Sequence, residues 1–130
     1  IRNFARLLSR GEEIPMFGDG STQRDYTYIQ DILGGVLCGL AWTMENQDAY
    51  EIVNLGESRT VSLEEMIRVV GEEMGIQPRV KRLPMQPGDV VRTFADISRA
   101  RELLGYDPHW EFRDGIREFV RWFRDQPPSP

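Results

Sequence analysis

The sequence predicts a single mixed α/β domain, and three observations predict it. The hydrophobic period switches repeatedly between two residues and about three and a half. The middle of the chain alternates extended and helical patterns, and the last forty residues are helix-rich. A chain of 130 residues suits one domain and buries roughly two-thirds of the surface it exposes when unfolded, so a real core is available. No internal repeat is present.

Each element has a local reason. Residues 4–10, FARLLSR, read as the last turns of an amphipathic helix closed by Gly11. Residues 14–17 are a short apolar run between a charged segment and GDGS, hence a strand feeding a tight turn. Residues 24–29, RDYTYI, alternate aromatic and β-branched residues as a strand does. From Ile29 the period changes: Ile29, Ile32, Leu33, Val36, Leu37 and Leu40 share one helical face over 29–44. Gly34, Gly35 and Gly39 weaken that helix by about 1 kcal/mol each relative to alanine, and their presence predicts a second backbone packed very close.

Residues 51–55, EIVNL, form a predicted strand ended by Gly56. Ser62 and Glu65 have capping-box spacing, with Val61 and Met66 placed as a hydrophobic staple. The helix they begin carries Leu63, Met66, Ile67, Val70 and Met74 on one face and stops at Gly75. RVKRL at 79–83 is a further strand, and two prolines with a glycine make 84–89 a loop. A short strand at 93–95 precedes Asp96, which caps a helix over 97–104. The last helix runs over about 112–124 with Ile116, Phe119, Val120 and Phe123 on one side. The domain therefore spans 1–126, and PPSP at 127–130 is a disordered tail.

Composition excludes several classes of function. Net charge is −5 with both signs interspersed, whereas phosphate-backbone binding needs a concentrated positive face, so nucleic acid is not an expected partner. One cysteine, Cys38, and one histidine, His109, build neither a zinc site nor a disulfide framework. Cys38 reads as a small buried hydrophobe, and a reducing cytoplasmic setting is expected. No apolar run reaches the roughly 20 residues of a membrane span, and no signal peptide is recognisable. The chain opens at Ile1, without methionine and inside a predicted helix, as a fragment or truncated gene product would.

Two polar clusters lie in loops between apolar elements: GDGSTQRD at 18–25 and QPGDVVRT at 86–93. Arg24 follows a glycine-rich turn, where its guanidinium either grips phosphate oxygens or pairs with Asp25 or Asp19 to shape the loop. Asp89 after Gly88 either accepts hydrogen bonds from a ribose diol or stabilises its own turn. Met16 and Phe17 either cover a flat base or belong to the core. No G-x-G-x-x-G occurs, and the residues four past Tyr26, Tyr28, Tyr50 and Tyr106 are Gln30, Ile32, Asn54 and Trp110, so no Tyr-x-x-x-Lys occurs either. No catalytic residue and no metal ligand is assigned.

Taken together, IPMFGDGSTQRDYTYIQDI (14–32), YEIVNLGESRTVSLEEMI (50–67), LPMQPGDVVRTFADISRARELLGYDP (83–108) and FRDGIREFVRWF (112–123) resemble the C-terminal, substrate-binding portion of extended short-chain dehydrogenase/reductase nucleotide-sugar enzymes. The pattern looks most like UDP-glucuronate 4-epimerases, then UDP-glucose 4-epimerases and UDP-glucuronate decarboxylases. The resemblance implies a small α/β domain without the Rossmann part. It also implies NAD in the complete enzyme, no cofactor on this chain, a UDP-sugar as partner, and no catalytic competence alone. On the matching positions it implies that Pro15, Met16 and Phe17 border the uracil, largely through backbone. By the same resemblance Arg24 grips the diphosphate and Asp89 binds the ribose. Gln86 stands where galactose-type epimerases have a second arginine; Arg92, or less well Arg82, would supply the missing charge. Finally, the helix over 29–44 and the strand over 51–55 would pack on the Rossmann sheet, so alone they would drive homo-oligomerisation, with a non-catalytic interaction module as the alternative role.

Overall fold

Parallel pairing of two distant strands organises the molecule. The computed structural model describes residues 1–126, so the tail predicted at 127–130 lies outside the described residues. In chain order the elements are α1 (Arg2–Ser9), β1 (Ile14–Phe17), β2 (Gln23–Arg24), α2 (Ile29–Glu45), β3 (Val61–Ser62), α3 (Leu63–Met74), β4 (Val80–Leu83), α4 (Ser98–Leu104) and α5 (Phe112–Arg124). This is the mixed α/β architecture the sequence predicts. β1 and β4 pair in parallel, from Ile14 opposite Val80 to Phe17 opposite Leu83. β2 and β3 pair antiparallel, Gln23 opposite Ser62 and Arg24 opposite Val61.

The main core lies where α1, β1, α3 and α5 meet, around Leu8, Ile14, Val70, Ile116 and Val120. α3 begins as its capping signal requires: Ser62 Oγ accepts the Glu65 N–H at 3.1 Å. It ends at Gly75, whose φ of 72° lets Ile76 N–H reach back to the Gly71 carbonyl at 2.9 Å. Arg113 from α5 spans Glu72 and Glu73 of α3, and Arg117 adds a 3.3 Å contact to Glu73. A second, smaller core gathers Ile97, Ala100 and Tyr106 with Val53, Leu55, Ala95 and Leu104.

Three expectations change. Residues 51–55 are extended, with Val53 and Leu55 turned inward and Ile52 outward, but no ladder partner exists among the described residues, so no strand forms. The predicted strands at 24–29 and 93–95 shrink for the same reason. Among the described residues of 24–29 only Arg24, with Gln23 before it, joins a ladder, and 93–95 joins none; the bridge of Gln23 to Arg92 lies just before it. α2 departs most. Ile29, Leu33, Val36, Leu37, Leu40 and Met44 are 53–73 % exposed, and the face turned inward carries Asp31 and Gly35. Close packing occurs at Gly35 alone of its three glycines. It is made by side chains: a Cβ there would sit 2.7 Å from Leu55 Cδ2 and 3.0 Å from Tyr106 Cε2. Gly34 meets nothing within 4 Å.

Candidate nucleotide-sugar site

Because β1 and β4 run parallel, their C-terminal ends leave the sheet together, and Gly18 N–H extends the ladder to the Leu83 carbonyl at 2.9 Å. The loops that follow, 18–22 and 84–90, are therefore neighbours although they lie far apart in the sequence. Ligands of open α/β sheets collect at this end of the strands.

The first loop is rigid by its own bonds. Asp19 Oδ1 accepts both the Ser21 hydroxyl at 2.6 Å and the Ser21 N–H at 2.9 Å, and these bonds hold the Asp19 carboxyl below its ordinary range. Gly20 and Thr22 carbonyls receive the Glu64 and Leu63 N–H groups at 3.0 and 2.9 Å, tying the loop to the start of α3. The second loop turns at Gly88, whose φ of 83° suits glycine, and Asp89 N–H closes onto the Gln86 carbonyl at 3.2 Å. Gln23 anchors its far end: Gln23 N–H donates to the Val91 carbonyl at 2.8 Å and Thr93 N–H to the Gln23 carbonyl at 3.1 Å.

Between the loops Arg24 and Asp89 meet, Nη2 to Oδ1 at 2.6 Å, with side chains 26 % and 35 % exposed. Arg24 Nη1 donates to its neighbour's carbonyl, Gln23 O, at 2.8 Å, which fixes the plane of the fork. The ion-pair alternatives read from the sequence, Asp25 and Asp19, are not its partner. Asp25 faces inward instead and accepts N–H groups from Glu57 at 3.1 Å, Ser58 at 3.2 Å and Ala95 at 3.1 Å.

The remaining candidates are distributed around this pair. Pro15 and Phe17 are half-buried on β1, whereas Met16 is buried, its sulfur packed beneath Gly20, so its side chain belongs to the core and only its backbone borders the loops. Gln86 lies in the turn with Asp89 and is exposed. Arg92 is joined to Gln23 through the bridge, but its guanidinium stacks over Phe94, 4.9 Å from the ring centroid, rather than joining Arg24. Arg82 lines a cleft of about 830 Å³ between β4 and α3, with Arg68 and Glu64.

The sequence reading missed an acidic cluster behind the site. Asp31 is buried and accepts the Trp110 N–H at 3.0 Å and the His109 N–H at 3.3 Å. Glu57 lies against it with Oε1 buried and, among the described residues, no hydrogen-bond partner. Burial, then the neighbouring Asp31 carboxyl, with Asp25 adding, pushes the Glu57 carboxyl up to about 8. Burial with the charges of Asp31 and Glu57 raises Tyr106 to about 12, its hydroxyl donating to the Gly56 carbonyl at 3.1 Å. The only signal in the sequence was an aspartate inside a predicted helix at 31. No group of three metal-ligating side chains occurs among the described residues.

Residues 1–119 match the family model described as GDP-mannose 4,6 dehydratase. The chain belongs to this family. It is 38 % identical over 120 residues to an uncharacterised protein of Methanocaldococcus jannaschii, covering 92 % of this chain and 36 % of that protein. It is 32 % identical over 126 residues to a UDP-glucuronate 4-epimerase of Thermodesulfobacterium geofontis, covering 96 % of this chain and 38 % of the relative. The structure of UDP-glucuronic acid 4-epimerase from Bacillus cereus in complex with UDP-glucuronic acid and NAD matches with a TM-score of 0.82 at 28 % identity, over 93 % of this chain and 38 % of that one. The chain thus spans well under half the length of these relatives. The family resemblance read from the sequence, an extended short-chain dehydrogenase/reductase nucleotide-sugar enzyme and its C-terminal portion, agrees with these matches.

Proposed function

We propose that this chain is the UDP-sugar-binding part of an NAD-dependent nucleotide-sugar 4-epimerase of the UDP-glucuronate or UDP-glucose type. The observation that carries the reading is the meeting of Arg24 and Asp89 at the shared end of β1 and β4. It puts a bidentate phosphate donor beside a diol acceptor, the two groups a nucleoside diphosphate needs. Relatives named as 4-epimerases favour epimerisation over decarboxylation or dehydration.

The chain's part in the chemistry is binding remote from the reacting carbon, which orients the sugar without touching the bond that changes. Arg24 holds the diphosphate, Asp89 the ribose hydroxyls, and the β1 backbone at Pro15–Phe17 with Gln86 borders the base; Arg92 reaches the site by leaving Phe94. NAD supplies hydride transfer when bound to such an enzyme. The residues present do not fit it, because no glycine fingerprint or Tyr-x-x-x-Lys occurs in the sequence. Calorimetric titration with UDP and UDP-glucuronic acid tests the reading. Arg24→Ala should weaken UDP binding about tenfold or more, since a charge-assisted bond contributes roughly 1.5–3 kcal/mol; equal binding by both proteins would refute it.

A second role, self-association, is favoured by the exposed apolar face of α2. A cytoplasmic setting belongs to the same proposal. No helix among the described residues is long and apolar enough to cross a membrane.

A further inference from the structure

The Arg24–Asp89 contact places a carboxylate directly on the guanidinium that the proposed ligand would use. Nη2 of Arg24 is spent on Asp89 Oδ1 at 2.6 Å and Nη1 on the Gln23 carbonyl at 2.8 Å. β2 pins the arginine through its pairing with Val61. The aspartate is carried by a turn whose two ends are fixed, at Leu83 by the Gly18 N–H and at Val91 by the Gln23 N–H. The ion pair is thus a tether between the free span 84–90 and β2. An anion that binds this guanidinium therefore competes with, or sits beside, the Asp89 carboxylate.

From this we infer that Asp89 acts as an internal competitor that makes the site select nucleoside diphosphates over bare phosphates, an inference that rests on the proposed UDP-sugar reading. A bare pyrophosphate on Arg24 lies beside the Asp89 carboxylate and has nothing to donate to it; like charges at that range repel. A nucleoside diphosphate offers Arg24 its phosphates and offers Asp89 two hydroxyl donors, so both partners of the broken pair are satisfied again. Selectivity follows from the group the wrong ligand leaves unpaired.

The experiment compares sodium pyrophosphate with UDP on the full chain, by calorimetry, in wild type, Asp89→Asn and Asp19→Asn. Asp19 supplies a matched control: it is an aspartate of the neighbouring loop that pairs with Ser21, not with Arg24. Its substitution removes the same charge without touching the fork. Asp89→Asn should tighten pyrophosphate about three- to tenfold and weaken UDP, so that the preference for UDP falls. Asp19→Asn should shift both ligands by less than about twofold. An unchanged preference in Asp89→Asn, or an equal gain in Asp19→Asn, overturns the inference while UDP binding by the wild type leaves the site itself standing. Failure of every protein to bind either ligand overturns the site and this inference together. Amide exchange gives a readout free of ligand: the segment 84–90 should exchange faster in Asp89→Asn than in wild type, and equal exchange would show that the pair is no tether.

Discussion

Glu57 is expected to make the stability of this chain fall as pH rises through neutrality. Its carboxyl is ordinarily at 4.5 and stands at about 8 in the fold, chiefly because burial penalises its charged form and secondarily because Asp31 and Asp25 are close by. Between those two values the folded chain holds a proton that the unfolded chain has released, so each rise in pH favours unfolding. The Glu57 contribution is neutral below about 4.5, grows unfavourable up to about 8 and is constant above. Fully expressed, that span is roughly 5 kcal/mol. Glu57 is only partly shielded from water, so about 2 kcal/mol is the expected size. Arg59 opposes the shift weakly, as its own guanidinium is paired to Glu111 at 2.6 Å and exposed.

Glu57→Gln keeps the shape, removes the titration and can donate an amide hydrogen to Asp31. Urea unfolding of both proteins at pH 5.5, 6.5, 7.5 and 8.5 reads the effect. The variant's advantage over wild type should be small at pH 5.5 and reach about 2 kcal/mol by pH 8.5. Asp19, Glu72 and Asp96, held below their ordinary values by hydrogen bonds to Ser21, Arg113 and Ser98 respectively, lose their contributions only as pH falls through the acid range, outside this window. A difference between the two proteins that stays constant from pH 5.5 to 8.5 would refute the reasoning.

Other substitutions test the packing. Ser62→Ala removes the acceptor for the Glu65 N–H and should lower stability by about 1 kcal/mol in the same urea measurement. Gly71→Ala places a Cβ 2.5 Å from Pro78 Cγ and 2.8 Å from the Ile76 carbonyl, so a loss of about 1–3 kcal/mol is expected; a neutral result would mean the turn after α3 yields freely. Leu37→Lys, at a position 64 % exposed, should leave the unfolding midpoint within about 0.5 kcal/mol of wild type while reducing the mass seen by light scattering at tens of micromolar. Wild type running as a monomer at that concentration would remove the case for self-association through α2.

What the sequence by itself determined are the elements whose signals are local. α3 begins and ends where Ser62, Glu65 and Gly75 require, because capping and left-handed termination act within four residues. α5 runs over the predicted residues with Ile116 and Val120 buried, since a 3.6-residue apolar stripe defines its own inward face. The family, too, was legible, because its motifs are contiguous stretches in a fixed order. Tertiary structure alone decided which partner each polar group found. Arg24 passes over two nearby aspartates for one 65 residues away, because the parallel register of β1 and β4 delivers Asp89 to it and turns Asp25 inward. It also decided that α2 turns Asp31 and Gly35 inward rather than its apolar stripe. Periodicity states which face of a helix is greasy; whether that face is covered depends on which surfaces the remainder of the polypeptide brings against it. Likewise 51–55 alternates as a strand does, yet a strand is a property of two backbones, and here the second is not among the described residues.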